Sequence, residues 1–524
     1  MARTKRRQGQ VSRRKQTVQK PQGLLHPRVE KVGPARFGVV CFDCHKAASK
    51  WMLADFYGNL LIEPTRFEHT RAGLELVVSR VQELVERKPL KDLVVAIERA
   101  GNYHLPVKRC FVSAGFDTRI VHPFATKHYR LPSDKDCKSD DTDLDAIFRA
   151  TLAGYGLLDQ ELTEPYISLR MLARHRRDLV RKRSILCCQI REHLDCTLPG
   201  YAAVFDDLWR SNIALPLAEW VGSVERFEAL GVKGLCQLLR DHDTRFLQPV
   251  VERVFAWARI AAKPAPESAL HQRIWLTLEA DRREKCRKIR EIERDLASLL
   301  VDTPYVLLLS HPGLNVVSAA ELAGELGPIE HYAHAKCITG RAGLFPSRFQ
   351  SDQTSRDGAL AKQANRRLRA TILWVADNLI KCNSHFRGLA GLWKQQGKDA
   401  RDSRVKVASR FCRVLYQLVA GRQVFAHPSQ CQRDYILQKL NAFYLEAEID
   451  PMTLLDDLQR TVKQLPSGAY KCEAQALEVE LLKAHKAKRK AVTQLGELLP
   501  LVLAKLGVSQ LQSDREAQDP DTQS

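Results

Sequence analysis

Two short runs constrain this chain more than anything else in it: "RFGVVCFD" (36–43) and "DLVVAIE" (92–98). Each is apolar, rich in β-branched residues and of strand length, and each ends on an acid. Strands without a polar face must be covered on both sides, which calls for helices above and below a sheet. Between the two runs, "KWMLADF" and "NLLIEP" flank a Tyr57-Gly58-Asn59 turn and predict a hairpin. "RAGLELVVSRVQELVERK" then has helical periodicity, with Leu74, Val77, Val81 and Leu84 on one side. "LPVKRCFVSAG" reads as a helix and "TRIVHP" as a further strand. A strand meander followed by strands alternating with helices predicts a mixed α/β sheet.

Charge bounds the partners. The 524 residues hold 82 Lys and Arg against 61 Asp and Glu, a net +21, which favours a polyanionic partner, nucleic acid first. Met1 to Arg28 is basic without a single acid and predicts a disordered arm. Its opening, "MARTKRRQGQVSRRKQ", has no apolar segment after it, so no signal peptide is expected. No run approaches membrane-spanning length, and the 14 cysteines lack a scaffold rhythm. A cytoplasmic, nucleoid-associated protein without a membrane partner is the expectation. Cys41 and Cys44 resemble half a zinc site, but no second pair follows at suitable spacing.

From Thr151 to about Leu300 the pattern is helical. One long helix places Leu172, Leu179 and Leu186 seven apart, among Arg170, Arg174, Arg177, Arg181, Lys182 and Arg191. Another has Ile289, Ile292, Leu296 and Leu299 at coiled-coil spacing. The pair predicts either an antiparallel hairpin or a dimer seam. The basic face is a candidate nucleic-acid contact through Arg174, Arg177, Arg181 and Lys182. A mainly helical unit follows from about Tyr305 to Phe425, then further helices and a disordered tail. The expected boundaries are 1–34 for the arm, 35–155 for the sheet domain and 156–300 for the helical middle. The remaining divisions are 301–425 for the second domain, 426–512 for a helical extension and 513–524 for the tail.

The most concentrated negative charge is "KSDDTDLDAI" (138–147). Acids in a helix's first turn complement its dipole and cap free N–H groups, which explains part of the run. The rest is a question of which acids meet. Asp140 and Asp143 are three apart and share a helical face; Asp141 and Asp145 share another. Asp43 and Glu98 end two strands, and such ends together with an i, i+3 pair can converge. Packed carboxylates repel unless cations sit among them, and oxygen ligands suit Mg²⁺. Two such ions can clamp a phosphodiester.

"VVCFDCHK", "IERAGNYHLP" and "KSDDTDLDAI" resemble, in order and spacing, the D…E…D-x-x-D blocks of the DEDD insertion-sequence transposases. That family includes the Piv-type DNA invertases and the bridge-RNA-guided serine recombinases. Glu98, Gly101, Tyr103 and Pro106 match its second block; Lys138, Ser139, Asp140 and Asp143 match the third, with Leu144 in place of an alanine. The resemblance implies an RNase H-like (RuvC-like) α/β domain, a long helical, coiled-coil middle and a mainly helical C-terminal transposase domain. It also implies that Asp43, Glu98, Asp140 and Asp143 are catalytic and hold Mg²⁺, leaving Asp141 and Asp145 outside the tetrad.

The second half carries a different signature. Pro312-Gly313 ahead of a small-residue helix resembles a helix-hairpin-helix turn, with Asn315 at the usual second glycine. "GLFPSRFQSDQ" (343–353) resembles the family's Gly-Leu-x-Pro followed by Ser-Gly-Gly. Counted from Pro346, the nucleophilic serine falls on Ser351, and the glycines after it are replaced by Asp352 and Gln353. Ser347 and Ser355 therefore remain alternatives. "KQANRRLRATI" matches Lys-x-x-Asn-Arg-x-Leu-Arg, which makes Lys362, Arg366, Arg367 and Arg369 candidate phosphate contacts. A serine hydroxyl needs a base or a metal-polarised phosphate, and no histidine neighbours Ser351 in sequence. The resemblance implies a composite site of acids and serine from different protomers, a phosphoserine link to DNA, a dimer or tetramer and a structured guide RNA. No Walker-type phosphate loop occurs, as expected of strand exchange without ATP. The alternatives are a Holliday-junction-type nuclease using the tetrad alone, and a decayed nucleic-acid-binding descendant.

Overall fold

The computed structural model describes residues 23–87, 90–131, 139–159, 162–351, 354–426, 434–447, 451–466 and 468–486. Lys138, Asp352, Gln353, the first 22 residues and the expected tail lie outside them. The chain divides into two compact units, 1–161 and 162–524.

The first unit is built on six strands: β1 (Phe37–Asp43), β2 (Ala48–Asp55), β3 (Leu60–Glu68), β4 (Asp92–Glu98), β5 (Thr118–Val121) and β6 (Gly156–Leu158). Their order in the sheet is β3-β2-β1-β4-β5-β6. β1 is antiparallel to β2 and parallel to β4, so the two acid-ended runs are neighbours pointing the same way. This mixed sheet is compatible with the expected RNase H-like fold. Helices cover both faces, as two-sided apolar strands require. Val40, Phe42, Val95 and Ile97 face α2 (Arg71–Arg87) and α3 (His104–Ser113) through Val77, Val81, Val107 and Phe111. Val39, Cys41, Val94 and Ala96 face the other way, onto Leu144, Ile147 and Phe148 of a later helix.

Part of the expected disordered arm is ordered. Helix α1 (His26–Val32) lies within it, because Leu25 and Val29 are apolar, four apart and buried in the sheet's second core. Arg28 adds ion pairs to Asp92, at 2.5 Å, and to Asp117. The remaining helices of this unit are α4 (Pro123–Tyr129) and α5 (Asp140–Leu152).

In the second unit, α6 (Tyr166–Thr197) runs against a 33-residue partner, with a lobe of three helices between them: α7 (Ala214–Val221), α8 (Val224–Asp241) and α9 (Gln248–Ala258). That partner is α10 (Ser268–Leu300). Leu179 of α6 shares a core with Ile289, Ile292 and Leu296 of α10, while Leu194 near the far end of α6 shares another with Trp275 near the start of α10. The pairing is therefore an antiparallel hairpin within one chain, the first of the two arrangements the heptads allowed. The lobe has its own core around Tyr201, Phe227 and Trp257. Its entrance and exit adjoin, the Ala265 N–H donating to the Cys196 carbonyl at 3.0 Å.

Helices α11 (Val316–Leu326) and α12 (Ala335–Ala342) lead into a two-stranded hairpin of β7 (Pro346–Ser351) and β8 (Thr354–Leu360). Then come α13 (Arg366–Cys382), α14 (Ser384–Gln395), α15 (Ala400–Ala420), α16 (Ile436–Glu446), α17 (Pro451–Val462) and α18 (Tyr470–Lys486). The start of α11 differs from the glycine-turn expectation. Asn315 is extended (φ −124°) and caps the helix by accepting from the Ser318 N–H at 2.9 Å, so an N-cap residue stands where a left-handed glycine was looked for. Among the described residues no helix is long and apolar enough to cross a membrane.

Candidate metal centre

The acids of the first unit meet for a reason that can be counted along the strands. Side chains alternate faces, and Val39 and Cys41 point toward α5; Asp43 continues that parity. Val94 and Ala96 do the same on β4, and Glu98 continues theirs. Because Phe42 pairs with Ile97 in the parallel register, Asp43 and Glu98 end side by side on the α5 face. On β2, Lys50 pairs with Asp43, shares the parity of Met52 and Ala54, and forms a 2.6 Å ion pair with Asp141.

Helix α5 brings the other acids. Ser139 is its N-cap in a reciprocal box with Thr142: the Thr142 N–H donates to the Ser139 hydroxyl at 3.2 Å and the Ser139 N–H to the Thr142 hydroxyl at 3.0 Å. Leu144, Ile147 and Phe148 anchor the helix to the sheet, which aims its positive N-terminal end at the strand ends. Asp143 is buried and takes a 2.5 Å ion pair from Arg130, the residue that ends α4. Asp140 is exposed. Asp145 turns away to Arg149 at 2.7 Å, one helical turn on.

His45 completes the cluster, and the sequence reading passed over it. Its Nε2 lies 3.2 Å from Asp43 Oδ2 and 3.5 Å from Asp140 Oδ1, and the three ligand atoms fall within 4.8 Å of one another. A motif reading could have found it in "DCHK", two residues after the strand-ending acid. Asp43 is only 3% exposed, and its buried Oδ2 accepts no hydrogen bond. Burial pushes the Asp43 carboxyl above the usual range, with Asp143 and Asp140 adding to the rise and His45 opposing it. Glu98 is raised for the same first reason, with Asp43 and Asp143 adding while Thr126 and Arg130 oppose. A buried carboxylate oxygen without a donor, ringed by further acids and one imidazole, fits a hard or borderline divalent cation. Cys41 and Cys44 take no part: their thiols lie in opposite cores of the sheet, and burial pushes that of Cys44 up to about 12.

The candidate residues of the second unit divide. Arg174 donates two hydrogen bonds to the carboxylate of the buried Glu325, at 2.8 and 2.9 Å, and Arg177 pairs with Glu321 at 2.6 Å. Arg369 donates to the Ala342 carbonyl at 2.8 Å and to that of Ala361, tying together the two ends of the β7–β8 hairpin. These three guanidinium groups are engaged inside the fold. Arg367 is half-buried, while Arg181, Lys182, Lys362 and Arg366 are exposed. A cavity of about 720 Å³ between α6 and α10 adds arginines that the sequence had not singled out, Arg183, Arg282, Arg283, Arg287 and Arg290 among them. Ser351 closes β7, paired with Thr354. Ser355 lies opposite Gln350 on β8, and the exposed Ser347 donates its hydroxyl to the Ala359 carbonyl at 3.0 Å.

An α/β sheet whose strand-end acids gather beside a capped helix defines a class of fold that can hold a divalent cation at that end. Within it, residues 40–199 match a family model described as a transposase of the DEDD type, and residues 305–390 match the "Transposase IS116/IS110/IS902 family". Two separate stretches of the chain are thus similar to transposases of the IS110/IS116 group. It is 24% identical over 145 residues to the "Transposase for insertion sequence element IS1328" of Yersinia enterocolitica, covering 27% of this chain and 43% of that protein. It is also 24% identical over 259 residues to the "Insertion element IS116 uncharacterized 44.8 kDa protein" of Streptomyces clavuligerus, covering 49% and 65%. The matched regions thus span under two thirds of either relative's length.

Proposed function

We propose that the protein is the transposase of an insertion element, a DNA recombinase that cuts and exchanges strands using Mg²⁺ and a serine. The observation that carries this reading is the meeting of Asp43 and Asp140, with Glu98 and Asp143 alongside, at one end of the sheet in a stretch that matches a transposase family model. Asp43, Glu98, Asp140 and Asp143 hold the cation, and Arg130 fixes the Asp143 carboxylate. A cation bound there would supply Lewis-acid polarisation of a DNA phosphodiester. The Ser351 hydroxyl attacks a DNA phosphodiester, breaking one P–O bond and releasing that strand's hydroxyl, and the phosphoserine link lasts until a second strand's hydroxyl displaces the serine. Arg181, Lys182, Lys362 and Arg366, all exposed, neutralise backbone phosphates. A structured RNA guides target choice, and the active form is a dimer or tetramer.

The test is a denaturing gel of protein, Mg²⁺ and DNA carrying the element's ends. A protein–DNA adduct that disappears in Ser351→Ala supports the reading. Adduct surviving in Ser351→Ala but lost in Ser347→Ala or Ser355→Ala moves the nucleophile. Nicked DNA with no adduct favours a nuclease that works through the acids alone, a reading encouraged by Asp352 and Gln353 standing where the resemblance expects glycines. Sequencing the RNA that copurifies with the protein checks the guide.

A further inference from the structure

We propose that His45 is itself a metal ligand, so that the centre is a mixed nitrogen–oxygen site that binds Mn²⁺ in preference to Mg²⁺. The inference rests on the reading above that these acids hold a divalent cation. Two ligands of one ion, each about 2.1 Å from it, lie roughly 3 to 4 Å apart. His45 Nε2 meets that spacing with both Asp43 Oδ2, at 3.2 Å, and Asp140 Oδ1, at 3.5 Å.

No donor meets the buried Asp43 Oδ2 in good hydrogen-bonding geometry, although His45 Nε2 stands 3.2 Å away and favours its charge. The imidazole is held there by its backbone: the His45 N–H donates to the Ser49 hydroxyl at 3.1 Å, and Ser49, itself buried, bonds onward to His69 Nε2. His69 in turn stacks on Phe67 of β3. The turn between β1 and β2 is therefore pinned at the residue that carries the nitrogen.

A nitrogen donor changes which ion is favoured. Mg²⁺ prefers an all-oxygen octahedron and keeps its waters, whereas Mn²⁺ accepts imidazole beside carboxylates. Losing the imidazole should weaken Mn²⁺ more than Mg²⁺.

The full-length protein, freed of metal, is titrated with Mn²⁺ and with Mg²⁺ by calorimetry, and the Mn²⁺-loaded form is examined by electron spin-echo envelope modulation. The wild type is expected to bind Mn²⁺ more tightly and to show ¹⁴N coupling from a ligated imidazole. His45→Ala is expected to lose that coupling and about tenfold in Mn²⁺ affinity, with Mg²⁺ affinity little changed. His69→Ala keeps the coupling. If His45→Ala retains the ¹⁴N signal, or loses affinity for both ions equally, the proposal is overturned while the acidic centre stands. If the wild type binds neither ion, both fall.

Discussion

Asp43 and Glu325 are each 3% exposed, yet their surroundings treat them in opposite ways. Glu325, near the end of α11, receives two bonds from Arg174 and a third from Asn365 at 2.8 Å. Burial works against its charge, but Arg174 and Asn365 outweigh it, and its carboxyl is held below the usual range. Asp43 has burial and two neighbouring acids against its charge, with one imidazole in its favour, and its carboxyl is raised. A carboxylate used for structure is given its donors by the fold; one left short of them carries its charge at a cost that a cation would relieve.

Removing the satisfied acid should give the largest effect. Glu325→Ala leaves Arg174 and Asn365 without their acceptor and should lower stability by roughly 3 kcal/mol, read as a fall in melting temperature. Acid should close that gap. Because the folded carboxyl sits below its unfolded value, near 4.5, its contribution is present above that value and fades as pH falls through the depressed folded one. Wild type and Glu325→Ala should therefore draw together in denaturant titrations as pH is lowered from 4.5 through the depressed folded value; a gap unchanged across that range would contradict the assignment.

The unsatisfied acid should respond with the opposite sign. In metal-free protein at neutral pH, Asp43→Asn relieves repulsion and should raise stability by about 1 kcal/mol. Saturating divalent cation should reverse the order, because only the wild type then gains binding free energy, about 2.7 kcal/mol at a hundredfold excess over Kd. Melting curves with and without Mn²⁺ read both signs. The smallest effect should come from Asp145→Ala. Its exposed pair with Arg149 is worth no more than about 0.5 kcal/mol, and a larger loss would give Asp145 a role that its geometry does not.

The sheet was readable in advance because its determinants are local. "FGVVCFD" and "DLVVAIE" are apolar on both faces, and period-two parity carries Asp43 and Glu98 to one side without knowledge of the partner strands. The cap at Ser139 follows the same logic. What escaped the sequence depends on partners far along the chain. Arg174 and Arg177 looked like a solvent-facing basic stripe, and only folding brings Glu325 and Glu321 beside them, 151 and 144 residues later. The β7–β8 hairpin escaped because "PSRFQS" and "TSRDGAL" show no clear apolar alternation. His45 escaped because its meaning depends on Asp140, which a different element supplies.

The lobe between α6 and α10 leaves the hairpin and rejoins it a single hydrogen bond apart, between Cys196 and Ala265. A segment tethered at one doorway can grow, shrink or be exchanged for a tight turn while the chain on either side keeps its course. Whatever that appendage touches can therefore change without disturbing the core at the hairpin's other end.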